Sequence, residues 1–170
     1  MITVEQLKKI MPYAYRAEEF IIPLNDAMED AQINTKLRQA AFLAQIGHES
    51  GQLKYVHEIA SGAAYEGRTD LGNTEPGDGI RFKGRGLIQI TGRDNYKRCG
   101  DALGYDLIAN PQFLESTVMA CKSAAWFWRV HGLSILAEKG DIVGITRRIN
   151  GGITGLADRT ALYQKALEVL

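Results

Sequence analysis

Two cysteines in 170 residues are too few for a disulfide framework, and Cys99 and Cys121 lack metal-ligand spacing, so both are expected to be buried free thiols. No apolar run approaches the length of a membrane span, which argues against stable membrane insertion. The N-terminus, MITVEQLKKIMPYAYR, lacks the basic-then-apolar layout of a secretory signal peptide. A surplus of one charge is also missing. Twenty basic residues balance twenty acidic ones, so no global field favours nucleic acid or an anionic membrane. Repeats and low-complexity linkers are absent as well. What is there is ordinary for a soluble globular chain, 45% hydrophobic and 24% charged, and long enough for one domain over 1–170 with a real core.

The periodicity predicts a mainly α protein. Thr3 and Gln6 have capping-box spacing for a first helix to about Ile10. A second helix is expected from about Arg16 to Ala31, with Pro23 starting a new turn inside it. Asn34 or Thr35 can cap a third, whose positions Leu37, Ala40, Ala41, Leu43, Ala44 and Ile46 make one broad apolar face. From Gly62 to Gly86 the chain is glycine-rich with interleaved charges, which predicts a long loop, and long loops in compact domains are usually functional. Leu87–Ile90 reads as a short buried strand, and Thr91 as the cap of the next helix. The segment after Pro111 predicts an apolar helix with Ala120, Ala124, Phe127 and Trp128 facing the core, and Trp126 is expected there too. Asp141 opens a helix closed by Gly151 and Gly152, and a last helix covers about Leu156 to Glu168.

Glu49 ends the third helix in FLAQIGHESG. A helix C-terminus disfavours an anion by roughly 0.3–1 kcal/mol, and apolar surroundings would add to this, which suits a carboxyl group that keeps its proton for acid catalysis. On position alone a solvated helix end is the better reading. Glu58 follows nine residues later in YVHEIA, beyond the helix, where the chain can turn back to face Glu49. Two carboxylates across a cleft suit cleavage of a glycosidic bond, one protonating the leaving oxygen while the other activates water or attacks the sugar. Glu66, in the glycine-rich segment, is a rival for the second role. His48 and His57 supply two His-Glu pairs, but without His-Glu-x-x-His spacing they argue against a metal site.

Four blocks carry a resemblance. HES (His48–Ser50), KGRGLIQITGRDNY (Lys83–Tyr96), INGG (Ile149–Gly152) and ADR (Ala157–Arg159) resemble, in order and spacing, signatures of the glycoside hydrolase family 19 chitinases and phage endolysins. The resemblance spans about Leu37 to Tyr163. It implies a lysozyme-like α-helical domain with a long glycine-rich loop and at most a short β element. It also implies Glu49 as general acid, Glu58 as general base, and Thr91 as the hydroxyl that helps hold the attacking water. Gln89, Asn95 and Asn150 match polar groups of the sugar cleft, with His48, Tyr65 and Glu66 as further substrate contacts. Arg159 matches an arginine that can pair with the base. Asp94 stands where the longer chitinases carry a tyrosine.

Each supporting residue also has a structural role open to it: a cap for Thr91, a buried backbone partner for Gln89, a helix end for Asn150, packing against the loop for Tyr65. The resulting expectation is a monomeric, cofactor-free glycosidase without a separate wall-binding module. It cuts β-1,4 bonds of peptidoglycan glycan strands, or alternatively of chitin oligomers. The segment DLGNTEPGDG running into RFKGRGLIQITGRDNY looks more like the endolysins, which implies an enzyme held in the host bacterial cytoplasm and acting on the wall in the periplasm at lysis. A wall-binding module with little catalysis is the alternative of another class.

Overall fold

The computed structural model describes residues 1–170. Thr3 forms the capping box of α1 (Val4–Ile10): its hydroxyl accepts from the Gln6 amide (3.1 Å) and the Gln6 carboxamide accepts from the Thr3 amide (2.9 Å). In α2 (Ala17–Asp30) Pro23 sits inside one continuous helix, because the fixed φ of proline is helical and only one N–H is lost. Thr35 caps α3 (Lys36–Glu49), accepting from the Arg38 amide (3.3 Å). Every residue from Ala40 to Gly47 in α3 is buried. The helix is therefore enclosed by neighbours on all sides in its second half, more completely than its one apolar face predicts. Its main partner is α9 (Leu156–Val169), and Phe42 also meets Trp128 of α6 (Thr117–Val130) edge-on at 5.4 Å. No helix is long and apolar enough to cross a membrane.

Four expectations are corrected by the fold. The glycine-rich segment is not one loop. It holds two 3-10 turns, Ala63–Tyr65 and Thr69–Leu71, and a short helix, α4 (Asp78–Arg81). Leu87–Ile90 is not a strand. Arg85 and Ile90 exchange both backbone hydrogen bonds (3.1 and 2.8 Å), so the residues between them form a tight turn with Gly86 and Gln89 at positive φ. Thr91 does not cap α5 (Arg93–Leu103). Its hydroxyl donates back to the Gln89 carbonyl (2.9 Å), and Gly92 occupies the cap at φ 90°. A side chain at Gly92 would also strike Leu71 at 2.7 Å, so the start of α5 is pressed against the glycine-rich segment. After Pro111 comes a 3-10 turn (Pro111–Glu115), and Ser116 then caps α6. The short α7 (Leu133–Glu138) follows unpredicted, and Asp141 caps α8 (Ile142–Asn150) as expected.

The apolar side chains gather in two clusters. The larger joins α1, α2, α3, α6 and the three C-terminal helices. The smaller holds Phe82, Ile90, Tyr96, Cys99, Leu107, Leu114, Met119 and Trp126, beneath the glycine-rich segment and α5. Both thiols are free and buried, as the sequence suggested, and burial pushes that of Cys99 up to about 12. Trp126 and Trp128 are core residues, while Phe127 is half-buried and stacked on His131. Glu49 ends a helix of the larger cluster. The chain that leaves it reaches the smaller cluster through Glu58.

Candidate active site

Glu49 is the last residue of α3, and the turn after it is unusual. Gly51, Gln52 and Leu53 all have positive φ, including two residues with side chains. That backbone is held by the Ser50 hydroxyl, which accepts from the Leu53 amide (2.8 Å), and by full burial of the Leu53 side chain. Non-glycine residues in this region are strained, and such strain clusters at functional sites. The turn sends the chain away from α3 so that Val56–Glu58 can lie antiparallel to Gly84–Gly86. The Glu58 amide donates to the Gly84 carbonyl (2.9 Å) and the Gly86 amide to the Val56 carbonyl (2.8 Å).

This pairing sets Glu58 over Gly84, where there is no side chain to displace it. A Cβ at Gly84 would fall 2.8 Å from Glu58 Oε2 and 2.7 Å from Gln89 Oε1, so the carboxylate and the carboxamide meet over one glycine. Gln89 is oriented by its own donation to the Gly86 carbonyl (3.0 Å). The Tyr65 hydroxyl donates to Glu58 Oε2 (3.0 Å). Burial, and after it the bond to Glu58, raise the Tyr65 phenol above its ordinary range, so it stays a donor throughout the neutral range. Glu58 Oε1 is buried with no protein partner. A buried carboxylate oxygen of this kind calls for a donor such as water.

Thr91 and Asn95 adjoin this group. Asn95 donates to the Thr91 carbonyl (2.8 Å), and the Thr91 hydroxyl is spent on Gln89. Of the residues singled out in the sequence, the structure thus bonds Tyr65 to Glu58, and Asn95 to Thr91 and Thr91 to Gln89, and it sets the two groups side by side over Gly84.

The others lie differently. Glu66 is occupied: its two oxygens accept from the amides of Gly77 (2.7 Å) and Gly79 (2.8 Å), tying the loop to the start of α4. Its expected contact with substrate gives way to this clamp. His48 faces α9 rather than a sugar site. Its Nδ1 lies 2.6 Å from Asp158 Oδ2, and its ring packs on Gly155. Asn150 is exposed at the end of α8, one turn beyond Thr146 on the same helix face, with Gly151 closing the helix at φ 82°.

Arg159 is the clearest departure. It pairs with Glu49, not with the base, and only 1% of it is exposed. Its Nη1 also donates to Gln45 Oε1 (2.5 Å) and its Nε to the Thr154 carbonyl (3.2 Å), while Gln45 donates to Thr146 (3.2 Å). Glu49 therefore meets a guanidinium instead of the apolar surroundings expected of it. Arg159 engages Oε1. Gln45 and Thr146, both fully buried, were missed in the sequence. The available signal was Gln45 itself, a polar residue in an apolar run one helical turn before Glu49.

Two carboxylates, one on a helix end gripped by a buried arginine and one over a glycine with a free buried oxygen, form a set fit for acid and base roles. A hollow along α5, lined between Arg93 and Ile108, touches neither.

Comparison with known proteins points the same way. The family model described as chitinase class I matches residues 18–147. A glycosyl hydrolase family 19 domain-containing protein of Haemophilus influenzae is 33% identical over 96% of this chain and 94% of its own length. An Arabidopsis thaliana endochitinase, At2g43610, is 40% identical over 66% of this chain, which spans only 39% of that protein. Among solved structures, chitinase C of Streptomyces griseus superposes with a TM-score of 0.77 at 25% identity, covering 99% of this chain and 76% of the other. A bacterial family 19 chitinase superposes with a TM-score of 0.76 at 26% identity, covering 99% and 94%.

Proposed function

Because the chain belongs to glycoside hydrolase family 19, we propose that it hydrolyses the β-1,4 bonds of bacterial peptidoglycan as a phage lysis enzyme, with Glu49 as general acid and Glu58 as general base. The observation that carries the pairing is the state of the three candidate carboxylates. Glu66 has both oxygens spent on backbone amides, whereas Glu58 has one oxygen on Tyr65 and one buried and free. In the reaction Glu49 gives its proton to the leaving oxygen as the C1–O bond breaks. Glu58 takes a proton from the water that attacks C1 on the opposite face, so the anomeric configuration inverts. Arg159 orients the acid through Oε1, and Gln89 and Asn95 offer amides to the sugar beside the base.

The wall substrate is supported by the likeness of Asp70–Tyr96 to the endolysins. The second reading, chitin hydrolysis, is favoured by the likeness to chitinases in sequence and structure. As a lysis enzyme the protein waits in the host cytoplasm and reaches the wall once the membrane is permeabilised, and it works as a monomer.

The test is digestion of purified peptidoglycan and of chitin oligomers, with mass spectrometry of the products. We expect soluble muropeptides with new reducing ends, and loss of most turnover in both Glu49→Gln and Glu58→Gln with the fold intact. Chitin turnover with intact peptidoglycan selects the second reading. Full activity in Glu49→Gln removes the acid assignment, and a greater loss in Glu66→Gln than in Glu58→Gln reassigns the base.

A further inference from the structure

Asn73 is fully buried in the glycine-rich segment, and its backbone amide and both ends of its carboxamide are engaged. Its backbone amide donates to the Arg68 carbonyl (3.1 Å). Its carboxamide nitrogen donates to the Tyr65 carbonyl (2.9 Å), and its carboxamide oxygen accepts from the amide of Arg93 (2.9 Å), the first residue of α5. One side chain therefore joins the turn that carries Tyr65 to the helix start that follows Gln89 and Thr91.

The contacts around Asn73 press the same two elements together. Gly92 leaves room for Leu71, and Gly72 leaves room for the Asp94 carboxylate; a Cβ at either would collide at 2.7 and 2.2 Å. Arg93, whose amide Asn73 receives, grips Asp78 with two bonds of 2.7 and 2.6 Å. Near Glu58 the two elements come together again: the Tyr65 hydroxyl bonds the carboxylate, and Gln89, two residues before Thr91, stands beside it over Gly84.

We infer that Asn73 is a positioning residue for Glu58: it holds the Tyr65 turn in register with the start of α5, so that the Tyr65 hydroxyl fixes the carboxylate over Gly84. Asn73 touches neither Glu58 nor the sugar site itself, and it acts through Tyr65. This rests on Glu58 being the general base. A carboxylate held in the wrong place by a fraction of an ångström loses turnover while the distant parts of the substrate still bind.

The experiment is a double-mutant cycle on the full chain, with kcat and KM measured on whichever glycan the wild type turns over. Tyr65→Phe removes only the hydroxyl, and we expect kcat to fall about tenfold with KM little changed. Asn73→Ala should lower kcat by about 10- to 100-fold, again with little change in KM. Since both act on one carboxylate by one route, the double variant should lie within about threefold of the worse single variant.

Losses that multiply, or an Asn73→Ala effect confined to KM, overturn the inference. If Asn73→Ala does not fold, Asn73→Asp takes its place. It keeps the acceptor for Arg93 and loses the donor to Tyr65, so it must show the same loss of kcat, and wild-type kcat in it overturns the inference. Wild-type turnover in Glu58→Gln instead brings down the base assignment, a result distinct from multiplying losses when Glu58→Gln is inactive.

Discussion

Glycine at position 84 decides where the proposed base stands. The backbone there has ordinary φ, so alanine is tolerated conformationally, but its methyl group would enter the space now used by Glu58 Oε2 and Gln89 Oε1. Both are ends of flexible side chains, so the strain is relieved by moving them rather than the backbone. Gly84→Ala is thus expected to cost about tenfold or more in kcat while changing stability by less than about 1 kcal/mol, checked by kinetics and thermal unfolding. Wild-type kcat in this variant would show that the carboxylate's position over Gly84 is not the reactive one. The same scale explains the roles of Arg159 and Glu66. A sequence block aligns an arginine with a family position, but only the fold says which of two glutamates lies within its reach. Arg159 reaches Glu49 because both stand on helices of the larger cluster, α9 and α3, whereas Glu58 hangs on the segment beyond.

Among the elements, the glycine-rich segment differs most from expectation, because it is held by side-chain bonds that no periodicity announces. The Asp78 carboxylate, 2% exposed, accepts the Arg93 fork and the Glu75 amide (3.1 Å). The Arg93 bonds, above all, hold it well below the usual carboxylate range. A lowered native value stabilises the fold above the unfolded-state value of about 3.9, and the contribution is lost as pH falls through the native value. Asp78→Asn is therefore expected to lower the melting temperature at neutral pH, with the gap to wild type closing below about pH 4. A gap that stays constant down to pH 2 would remove the ion pair as its cause. The helices, by contrast, were legible. The α1 capping box, the Thr35 cap, the Asp141 cap and the Gly151 terminus are local chemistry within a few residues. The Leu87–Ile90 turn was not, since an apolar run reads as a strand until Gly86 and Gln89 at positive φ fold it back.

For the whole molecule, the two apolar clusters and the segment between them give each carboxylate its own support. Glu49 is fixed by helix packing and Arg159, and Glu58 by backbone pairing with Gly84. The reaction proposed for this arrangement inverts configuration, which needs carboxylates about 6.5–9.5 Å apart with water between them. Proton NMR of the first products from a β-linked glycan should therefore show the α-anomer before mutarotation. A β-anomer as first product would require a covalent intermediate and a different part for Glu58.

The sequence by itself determined the α-helical class, most helix ends, the buried thiols and the residues from which a two-carboxylate site could be made, because caps, apolar periods and motif spacing are read within short stretches of chain. The tertiary structure alone decided which partners those residues take. It spent Glu66 on Gly77 and Gly79, turned His48 to Asp158, gave Arg159 to Glu49 and set Tyr65 on Glu58. Each of those contacts depends on where separate elements come to rest, and that is set by packing of the two clusters rather than by any local pattern.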